Sequence, residues 1–293
     1  MKLVVSIIAS LWVLTMHAQS DEYFDSEGVR IHYQLAGAGQ PIILLHGFTD
    51  NIEICFEDPI ETLGAGYIGR LSENFQVISM DARGHGMSDK PTGSDNYGVV
   101  MVEDVIRLMD HLSIKKAHMI GYSMGGFTIG KMIQLYPERI LSINMVGAGP
   151  ALKEVQNPDH PLNVVCQQTA VDLEDKETIN SLLRYFWPDP SEIPASDSLS
   201  LISKDILTDQ NPQALKDCML GLMDLFSMGG NETYNVPMQL VFGDRDPLLS
   251  FWKKSEEKDS YQLIVVPEAD HMNILSYEQG LIAIEKFLFQ LNR

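Results

Sequence analysis

Residues 121–125 (GYSMG) could place a serine where it can act as a nucleophile. A buried apolar run at 117–120 precedes this motif, and a helical pattern that ends before Pro137 follows it. In a strand–turn–helix of this kind the serine hydroxyl projects above the sheet, and the flanking glycines let the strand and the helix pack closely. The helix also directs its N-terminus, where negative charge is favoured, toward the same point. We therefore predict that Ser123 is a nucleophile.

A serine hydroxyl is a poor nucleophile unless a base accepts its proton, and histidine is the usual base. The chain has eight histidines, and His271 comes five residues after a predicted strand at 262–266. That position lies at the carboxyl edge of a parallel sheet, where such sites form. His46 and His85 also follow predicted strands, but both precede Ser123, whereas this turn is used with the order serine, acid, histidine. We predict that His271 is the base.

Two carboxylates stand where a third residue could orient the base. Asp244 and Asp246 directly follow a predicted strand at 238–242. A carboxylate beside the histidine holds the imidazole in the tautomer that can accept the serine proton and stabilises the charge that forms on it. Asp270 is a weaker candidate, because it faces elsewhere if the neighbouring His271 faces the serine. The residues alone leave the choice between Asp244 and Asp246 open.

Acyl transfer needs at least two N–H donors for the oxyanion of its tetrahedral intermediate. The backbone N–H of Met124, directly after the nucleophile, is one expected donor. The other is expected from the loop after the predicted strand at 41–45, and we choose the N–H of Phe48. His46 and Gly47 would then shape this loop.

The sequence offers no pattern typical of a metal or cofactor site, and we expect neither. Cys55, Cys166 and Cys218 lack the paired spacing of a zinc site. Residues 64–69 read G-x-G-x-x-G, but a dinucleotide site would need that pattern directly after a strand, and DPIE at 58–61 precedes it. We interpret that segment as a loop. In an oxidising compartment Cys166 and Cys218 could pair, but we favour buried free thiols.

Apolar runs that alternate with helical spacings predict the framework for these residues. Continuous or alternating apolar patterns predict strands at 29–35, 41–45, 75–80, 117–120, 140–146, 238–242 and 262–266, the first in a hairpin that turns at 27–28. Apolar residues at helical spacing predict helices at 100–112, 128–136 and 278–291. The alternation of strands and helices indicates an α/β fold, with a mostly parallel eight-stranded sheet and helices on both faces.

One segment, residues 151–236, lacks any strand pattern. It contains acidic helical stretches separated by prolines, and the clearest helix begins at Asn211-Pro212, a plausible cap and first-turn proline. We predict that 151–236 is a helical lid inserted into a core made of residues 21–150 and 237–293.

The first twenty residues have the order of a secretory signal. Lys2 precedes a short, charge-free apolar run, and small residues follow at Ala18 and Ser20. The run is shorter than the roughly 20 residues that a bilayer span needs. We expect cleavage near Ala18 or Ser20 and an exported, periplasmic or secreted protein, with a retained anchor as the alternative. No other segment is apolar enough to cross a membrane.

The chain is strongly acidic. Its formal net charge is −19, with only 21 lysines and arginines. Such a charge argues against nucleic acid or an anionic membrane surface as a partner. The charge does not choose among small-molecule substrates, and we attribute it to solubility rather than to electrostatic steering of a cationic substrate.

Five stretches together resemble the α/β-hydrolase superfamily, over nearly the whole chain after the signal. These are 46–48 (HGF), 81–89 (DARGHGMSD), 121–126 (GYSMGG), 243–247 (GDRDP) and the loop around His271. In this superfamily the Gly-x-x-Asp after the seventh strand supplies the acid, so the resemblance implies Asp246 rather than Asp244. It also implies a structural role for Asp81, Arg83 and His85. Residues 51–69 look longer than in relatives and could line the pocket.

The resemblance implies a serine hydrolase that cleaves small to medium carboxylic esters or lactones. Epoxide hydrolases and haloalkane dehalogenases carry aspartate at the elbow, where this chain has Ser123. Carbon–carbon bond hydrolases usually have tryptophan after the catalytic histidine, where Met272 stands here. A carbon–carbon bond hydrolase and a haloperoxidase-like perhydrolase with the same triad remain alternatives. A further alternative is a non-catalytic ligand-binding protein of this fold.

Overall fold

A sheet organises the chain in the computed structural model, which describes residues 20–150, 153–226, 235–253 and 260–291. The strands of this described part are β1 (Ser20–Ser26), β2 (Val29–Gly37), β3 (Pro41–Leu45), β4 (Gln76–Met80), β5 (Ala117–Tyr122), β6 (Ile140–Val146), β7 (Met238–Gly243) and β8 (Gln262–Val266). They form one eight-stranded sheet in the order β1-β2-β4-β3-β5-β6-β7-β8. β1 pairs antiparallel with β2, and β2 pairs antiparallel with β4. All other neighbours are parallel.

Helices cover both faces of this sheet. Those of the described residues are α1 (Tyr67–Leu71), α2 (Val99–His111), α3 (Met124–Leu135), α4 (Pro161–Lys176), α5 (Asn180–Phe186), α6 (Ser196–Ile206), α7 (Pro212–Phe226), α8 (Leu249–Lys253) and α9 (Glu278–Leu291). The apolar residues of α2 and α3 share one core cluster. Those of α1 and α9 share the cluster on the opposite face. The predicted fold class, a mostly parallel eight-stranded sheet with helices on both faces, is confirmed.

The central strands are buried on both faces, as their continuous apolar sequences require. Every residue of β5 and every residue of β7 is buried. Because β3, β5, β6 and β7 are parallel neighbours, the loops at their carboxyl ends meet at one edge of the sheet. This edge collects the predicted nucleophile, base, acid and oxyanion loop.

The segment between β6 and β7 carries α4, α5, α6 and α7, and its described residues contain no strand. We call it the helical insertion. Its helix α7 begins as predicted, because the side chain of Asn211 accepts a hydrogen bond from the N–H of Ala214 at 3.0 Å. α7 packs on α4 and also on α3 of the core, whereas α5 packs on α4 and α6. The bounds of the insertion as a domain, and its role as a lid, stay predictions.

Two local expectations were wrong. The helix expected from residue 128 begins at Met124, directly after the nucleophile motif. The segment at 64–69 is not only a loop, since Tyr67–Leu71 form a short helix that Gly66 precedes. Gly66 lies so close to the carbonyl of Phe56 that an added Cβ would be 2.7 Å from that oxygen. Its small size therefore serves packing.

Three further expectations concern the N-terminal signal, membrane-spanning segments and the cysteines. The predicted signal, apart from its last residue, lies outside the described residues. Within the described ranges no helix combines the length and the apolar character needed to span a bilayer. Cys55, Cys166 and Cys218 are all buried and free, so the structure contains no bond between the two cysteines of the insertion.

Candidate active site

Ser123 lies between the last residue of β5 and the first residue of α3, with φ 47° and ψ −112°. A non-glycine residue rarely adopts positive φ, and such strain is typical of functional turns. The turn is held because Ser123 N–H donates to the carbonyl of Val146 at 2.9 Å. A Cβ on Gly121 would lie 2.5 Å from the carbonyl carbon of Gly125. The glycines of the motif therefore allow the sharp turn that lifts the serine hydroxyl.

The structure brings the three predicted triad residues into one hydrogen-bonded chain. Ser123 Oγ lies 3.0 Å from His271 Nε2. His271 Nδ1 lies 2.8 Å from Asp246 Oδ2. Because the carboxylate accepts the Nδ1 proton, Nε2 carries the lone pair that can accept the serine proton. Asp246 and His271 are both buried, and the second carboxylate oxygen of Asp246 accepts the N–H of Leu248 at 2.8 Å.

The other two carboxylates considered for the acid are turned away from the base. Asp244 is exposed to solvent. Asp270 binds its own loop, because its Oδ1 accepts the N–H of Met272 at 2.8 Å and the N–H of Asn273 at 3.0 Å. Of these three carboxylates, Asp246 is the one that binds the imidazole of His271.

The predicted oxyanion donors, Phe48 and Met124, lie beside Ser123 in the same cavity. Met124 is the first residue of α3, so its N–H has no partner within the helix. The next residue, Gly125, donates its N–H to the carbonyl of His46 at 3.0 Å and so ties the elbow to the loop of Phe48. Thr49 follows Phe48 with φ 66°, which turns this loop sharply.

His46 supports the loop and does not contact the nucleophile. Its Nε2 accepts the N–H of Ala82 at 3.0 Å, so its Nδ1 carries the proton that is donated to the carbonyl of Gly47 at 2.7 Å. Asp81 accepts the N–H groups of Ile52 and Met87 at 2.9 and 2.8 Å. These buried bonds agree with the structural role that the resemblance implies for the turn at 81–89.

A cavity of about 300 Å³ opens at Ser123. Most of its lining is apolar, and the helical insertion and α3 contribute to it through residues that include Phe127, Leu162, Val165, Leu182, Met219, Leu222 and Phe226. The segment 51–69 also lines it, through Ile54, Cys55, Asp58, Pro59 and Ile60, as expected. Ile54 and Met272 line the cavity and are about half exposed, at 54% and 51%, so they mark its mouth.

The ionisable groups of the cavity lining, apart from the triad, are acidic. No lysine or arginine stands among the described residues that line it, whereas Asp50 and Asp58 do. Burial raises the pKa of the Asp50 carboxyl, although a hydrogen bond from the Cys55 thiol opposes that effect. The thiol lies 3.4 Å from Asp50 Oδ2. The described part of the lining therefore offers no lysine or arginine that could neutralise an anionic ligand.

Sequence reasoning missed two aromatic residues that hold His271. The hydroxyl of Tyr122 donates to the backbone carbonyl of His271 at 2.7 Å. Phe186, the last residue of α5, stacks on the imidazole with ring centroids 3.8 Å apart. Tyr122 lies inside the nucleophile motif and could have been considered. No signal pointed to Phe186, because its contact depends on how the insertion folds over the core.

The described ranges contain no group of three or more histidine, cysteine and acidic side chains placed to hold a metal ion. The buried thiols are poor ligands as they stand, since burial raises the pKa of Cys166 to about 12 and also raises the pKa of Cys55.

Comparison with known proteins agrees with the fold. The model for the alpha/beta hydrolase fold matches residues 40–180. An enol-lactonase from Burkholderia xenovorans LB400 has a similar structure, with a TM-score of 0.67 and 19% identity, over 92% of this chain and 100% of that one. The resemblance to the α/β-hydrolase superfamily is confirmed, and the chain has the α/β-hydrolase fold.

Two curated relatives narrow the comparison no further than this family. A Bacillus subtilis (strain 168) protein, provisionally named a 2-succinyl-6-hydroxy-2,4-cyclohexadiene-1-carboxylate synthase, is 25% identical over 84% of this chain and 89% of its own length. A soluble epoxide hydrolase from Corynebacterium sp. (strain C12) is 40% identical, but over only 34% of this chain and 31% of its own length. Other relatives are also spanned only in part, at 61% and 35% of their lengths.

Proposed function

We propose that this protein is a serine hydrolase that cleaves small to medium carboxylic esters or lactones through an acyl-enzyme. The observation that carries the proposal is the hydrogen-bonded chain from Ser123 through His271 to Asp246 at the base of an apolar cavity. An ordered nucleophile, base and orienting acid, with N–H donors beside them, are the parts that acyl transfer needs.

The reaction proceeds in two halves. Ser123 Oγ attacks the ester carbonyl while His271 Nε2 takes the hydroxyl proton, and the N–H groups of Phe48 and Met124 bind the oxyanion. His271 then gives its proton to the departing alcohol, which leaves the acyl group on Ser123. Water attacks this acyl-enzyme with His271 again as base, and the carboxylic acid leaves as Ser123 regains its proton.

The cavity favours an uncharged substrate. The described lining is mostly apolar, with two acidic groups and no lysine or arginine, so a bound carboxylate would lose its water without being neutralised. Burial of a neutral polar group without a hydrogen-bond partner costs about 2–7 kcal/mol, and burial of an unpaired carboxylate costs more. The name of the Bacillus relative is that of a synthase of a carboxylate-bearing compound. For the present chain we therefore favour neutral esters and lactones over such compounds.

A fluorophosphonate probe tests the nucleophile. We expect the intact folded protein to gain one probe mass on Ser123, and Ser123→Ala to gain none. A folded wild-type protein that is not labelled would contradict the proposal and would favour the non-catalytic alternative.

A substrate panel tests the reaction class. It contains neutral nitrophenyl esters of increasing acyl length, a lactone, a nitrophenyl hemisuccinate and a vinylogous dienoic acid, with Ser123→Ala as the control. We expect turnover of the neutral esters or the lactone, and much slower turnover of the anionic hemisuccinate. Turnover of the dienoic acid alone would assign the site to carbon–carbon bond cleavage instead.

A further inference from the structure

Phe186 covers one face of the imidazole of His271. The two rings are nearly parallel, with an interplanar angle of 16° and centroids 3.8 Å apart. Phe186 is 6% exposed and ends α5, so a residue of the helical insertion lies directly on a residue of the core. Tyr122 of the core also lies near the imidazole, with ring centroids 5.7 Å apart and an interplanar angle of 34°.

We propose that Phe186 is a positioning residue for His271, which fixes the tilt of the imidazole and stabilises its protonated form during acyl transfer. The expected effect on the rate rests on the proposed function, whereas the contact between Phe186 and His271 does not. It assigns a task in the reaction to the insertion, beyond covering the cavity.

The geometry explains why the triad needs such a contact. The hydrogen bonds to Ser123 and Asp246 leave the imidazole at its two nitrogens and lie in the plane of the ring. They do not prevent the ring from tilting about the line that joins those nitrogens. A phenyl ring in face contact with the imidazole restricts that tilt. Reacting groups must be oriented within narrow limits, so tilt costs rate.

Charge gives the second reason. When His271 accepts the serine proton it becomes a cation beneath the face of an aromatic ring, and cations are attracted to such faces most strongly when water is excluded. A leucine of similar bulk would exclude water equally but would lack the π face. Comparison of phenylalanine with leucine at position 186 therefore isolates this interaction.

The same insertion also contacts the oxyanion loop. The side-chain amide of Gln210, just before α7, donates to the carbonyl of Thr49 at 3.1 Å. Phe48, the predicted oxyanion donor, is the residue before Thr49. The helical insertion therefore contacts both the base, through Phe186 on His271, and the oxyanion loop, through Gln210 on Thr49.

Several charged or polar groups close to His271 also influence the protonation of its imidazole. Asp246 binds its Nδ1, and Asp50 of the oxyanion loop is close enough to interact electrostatically with the imidazole. The Asp270 carboxylate is occupied by amides of its own loop, and Tyr122 donates to the backbone carbonyl. None of these groups changes when position 186 is substituted.

The test compares Phe186→Leu, Phe186→Tyr and a matched control. Phe251→Leu is the control, because Phe251 also contacts a histidine, His160, with centroids 4.8 Å apart, but lies outside the cavity lining. Thermal unfolding establishes that each variant folds. The readouts are kcat and KM for a neutral ester, the pH profile of kcat/KM, and the NMR titration of the His271 ring, assigned with His271→Gln.

For Phe186→Leu we expect kcat to fall by about 3- to 30-fold, the range that a lost cation–π contact implies. The acidic limb of the profile and the NMR midpoint should both move to lower pH, since the imidazolium is less stable. Phe186→Tyr should restore both, and Phe251→Leu should behave as wild type. An NMR midpoint that does not move in a folded Phe186→Leu overturns the inference, even in a protein that turns over no ester. A fall in kcat without movement of the acidic limb also overturns it.

If instead the wild-type protein is neither labelled by the fluorophosphonate nor active on any ester, the proposed function fails. The NMR comparison still decides whether Phe186 stabilises the protonated imidazole.

Discussion

Asp246 contacts the imidazole of the base, His271, whereas the nearby Asp244 does not. Asp246 is buried against His271 Nδ1, whereas Asp244 is exposed two residues earlier in the same loop. Asp246→Asn keeps the shape of the side chain but removes the charge that holds the productive imidazole tautomer. We expect it to lower kcat for a neutral ester by about ten thousandfold.

Asp244→Asn is the matched control for this measurement. It makes the same chemical change at an exposed site, and we expect kcat to stay at the wild-type value. Loss of turnover in Asp244→Asn with activity retained in Asp246→Asn would show that the acid assignment is wrong.

Gly147 offers a second residue-scale prediction, because it touches the triad from the end of β6. Its φ is 59°, and an added Cβ would lie 3.1 Å from Cε1 and from Nδ1 of His271. Gly147→Ala would therefore push the imidazole by a few tenths of an ångström. We expect kcat to fall by about tenfold, since a displacement of about 1 Å costs roughly a hundredfold.

Gly64→Ala separates this contact from backbone strain. Gly64 has φ 65° and open space where its Cβ would go. Both alanine variants should lose about 1 kcal/mol in urea unfolding because both hold an L residue in the left-handed region. Only Gly147→Ala should lose activity. Equal activities in the two variants would mean that His271 tolerates the contact.

At the scale of elements, a buried ion pair joins the antiparallel part of the sheet to the turn after β4. His32 of β2 contacts Asp81 Oδ2 at 2.8 Å through Nδ1 and Asp21 Oδ1 at 3.1 Å through Nε2. Burial by itself would lower the pKa of His32, but its bonds to the two carboxylates outweigh this and raise the pKa. Burial would likewise raise the pKa of Asp81, and the bond from His32 with other interactions lowers it instead.

These directions predict how the pair stabilises the fold. A histidine with a raised pKa contributes stability that is present below about pH 6.5 and is lost as the pH rises through its folded pKa. The contribution of Asp81, with its lowered pKa, is lost only as the pH falls through that lower value. His32→Gln should therefore cost the most free energy of unfolding near about pH 5.5 and clearly less near about pH 9.

His118→Gln is a control of opposite sign in the same urea titrations. His118 is buried in β5, and burial lowers its pKa. Its unfolded form binds more protons at acidic pH, so its contribution to stability grows as the pH rises. The cost of His118→Gln should therefore increase from about pH 5 to about pH 7.5. The same pH trend in both variants would contradict the assignment of His32.

The elements that sequence predicted best are those whose pattern is local. β3, β6, β8 and α9 have the predicted bounds, because uninterrupted apolar runs and helical spacing depend on neighbours in the chain. The start of α3 at Met124 was missed, since glycines weaken a helical pattern although tertiary packing favours them there. Phe186 could not be predicted, because its contact with His271 joins residues 85 positions apart.

At the scale of the whole molecule, charge and cavity act together. The chain has a formal charge of −19, and the described lining of its cavity contains no lysine or arginine. The negative net charge repels an anionic ligand as it approaches. The cavity lining then removes water from the ligand without supplying a positive charge. This explains why the expectation of a small neutral substrate does not depend on the identity of any one pocket residue.

The N-terminus gives the last whole-molecule prediction. β1 begins at Ser20, which pairs with Leu35 of β2. Cleavage after Ala18 would leave this strand complete, and cleavage after Ser20 would remove only its first residue, so the core tolerates both sites.

We propose that the chain is exported and processed, and we expect the purified protein from a bacterial host to begin at Gln19 or Asp21 by intact mass. Leu11→Arg, which interrupts the apolar run, should keep the unprocessed chain in the cytoplasm, whereas Leu11→Ile should not. An unprocessed wild-type chain in the membrane fraction would favour the retained anchor, and one in the cytoplasm would contradict export.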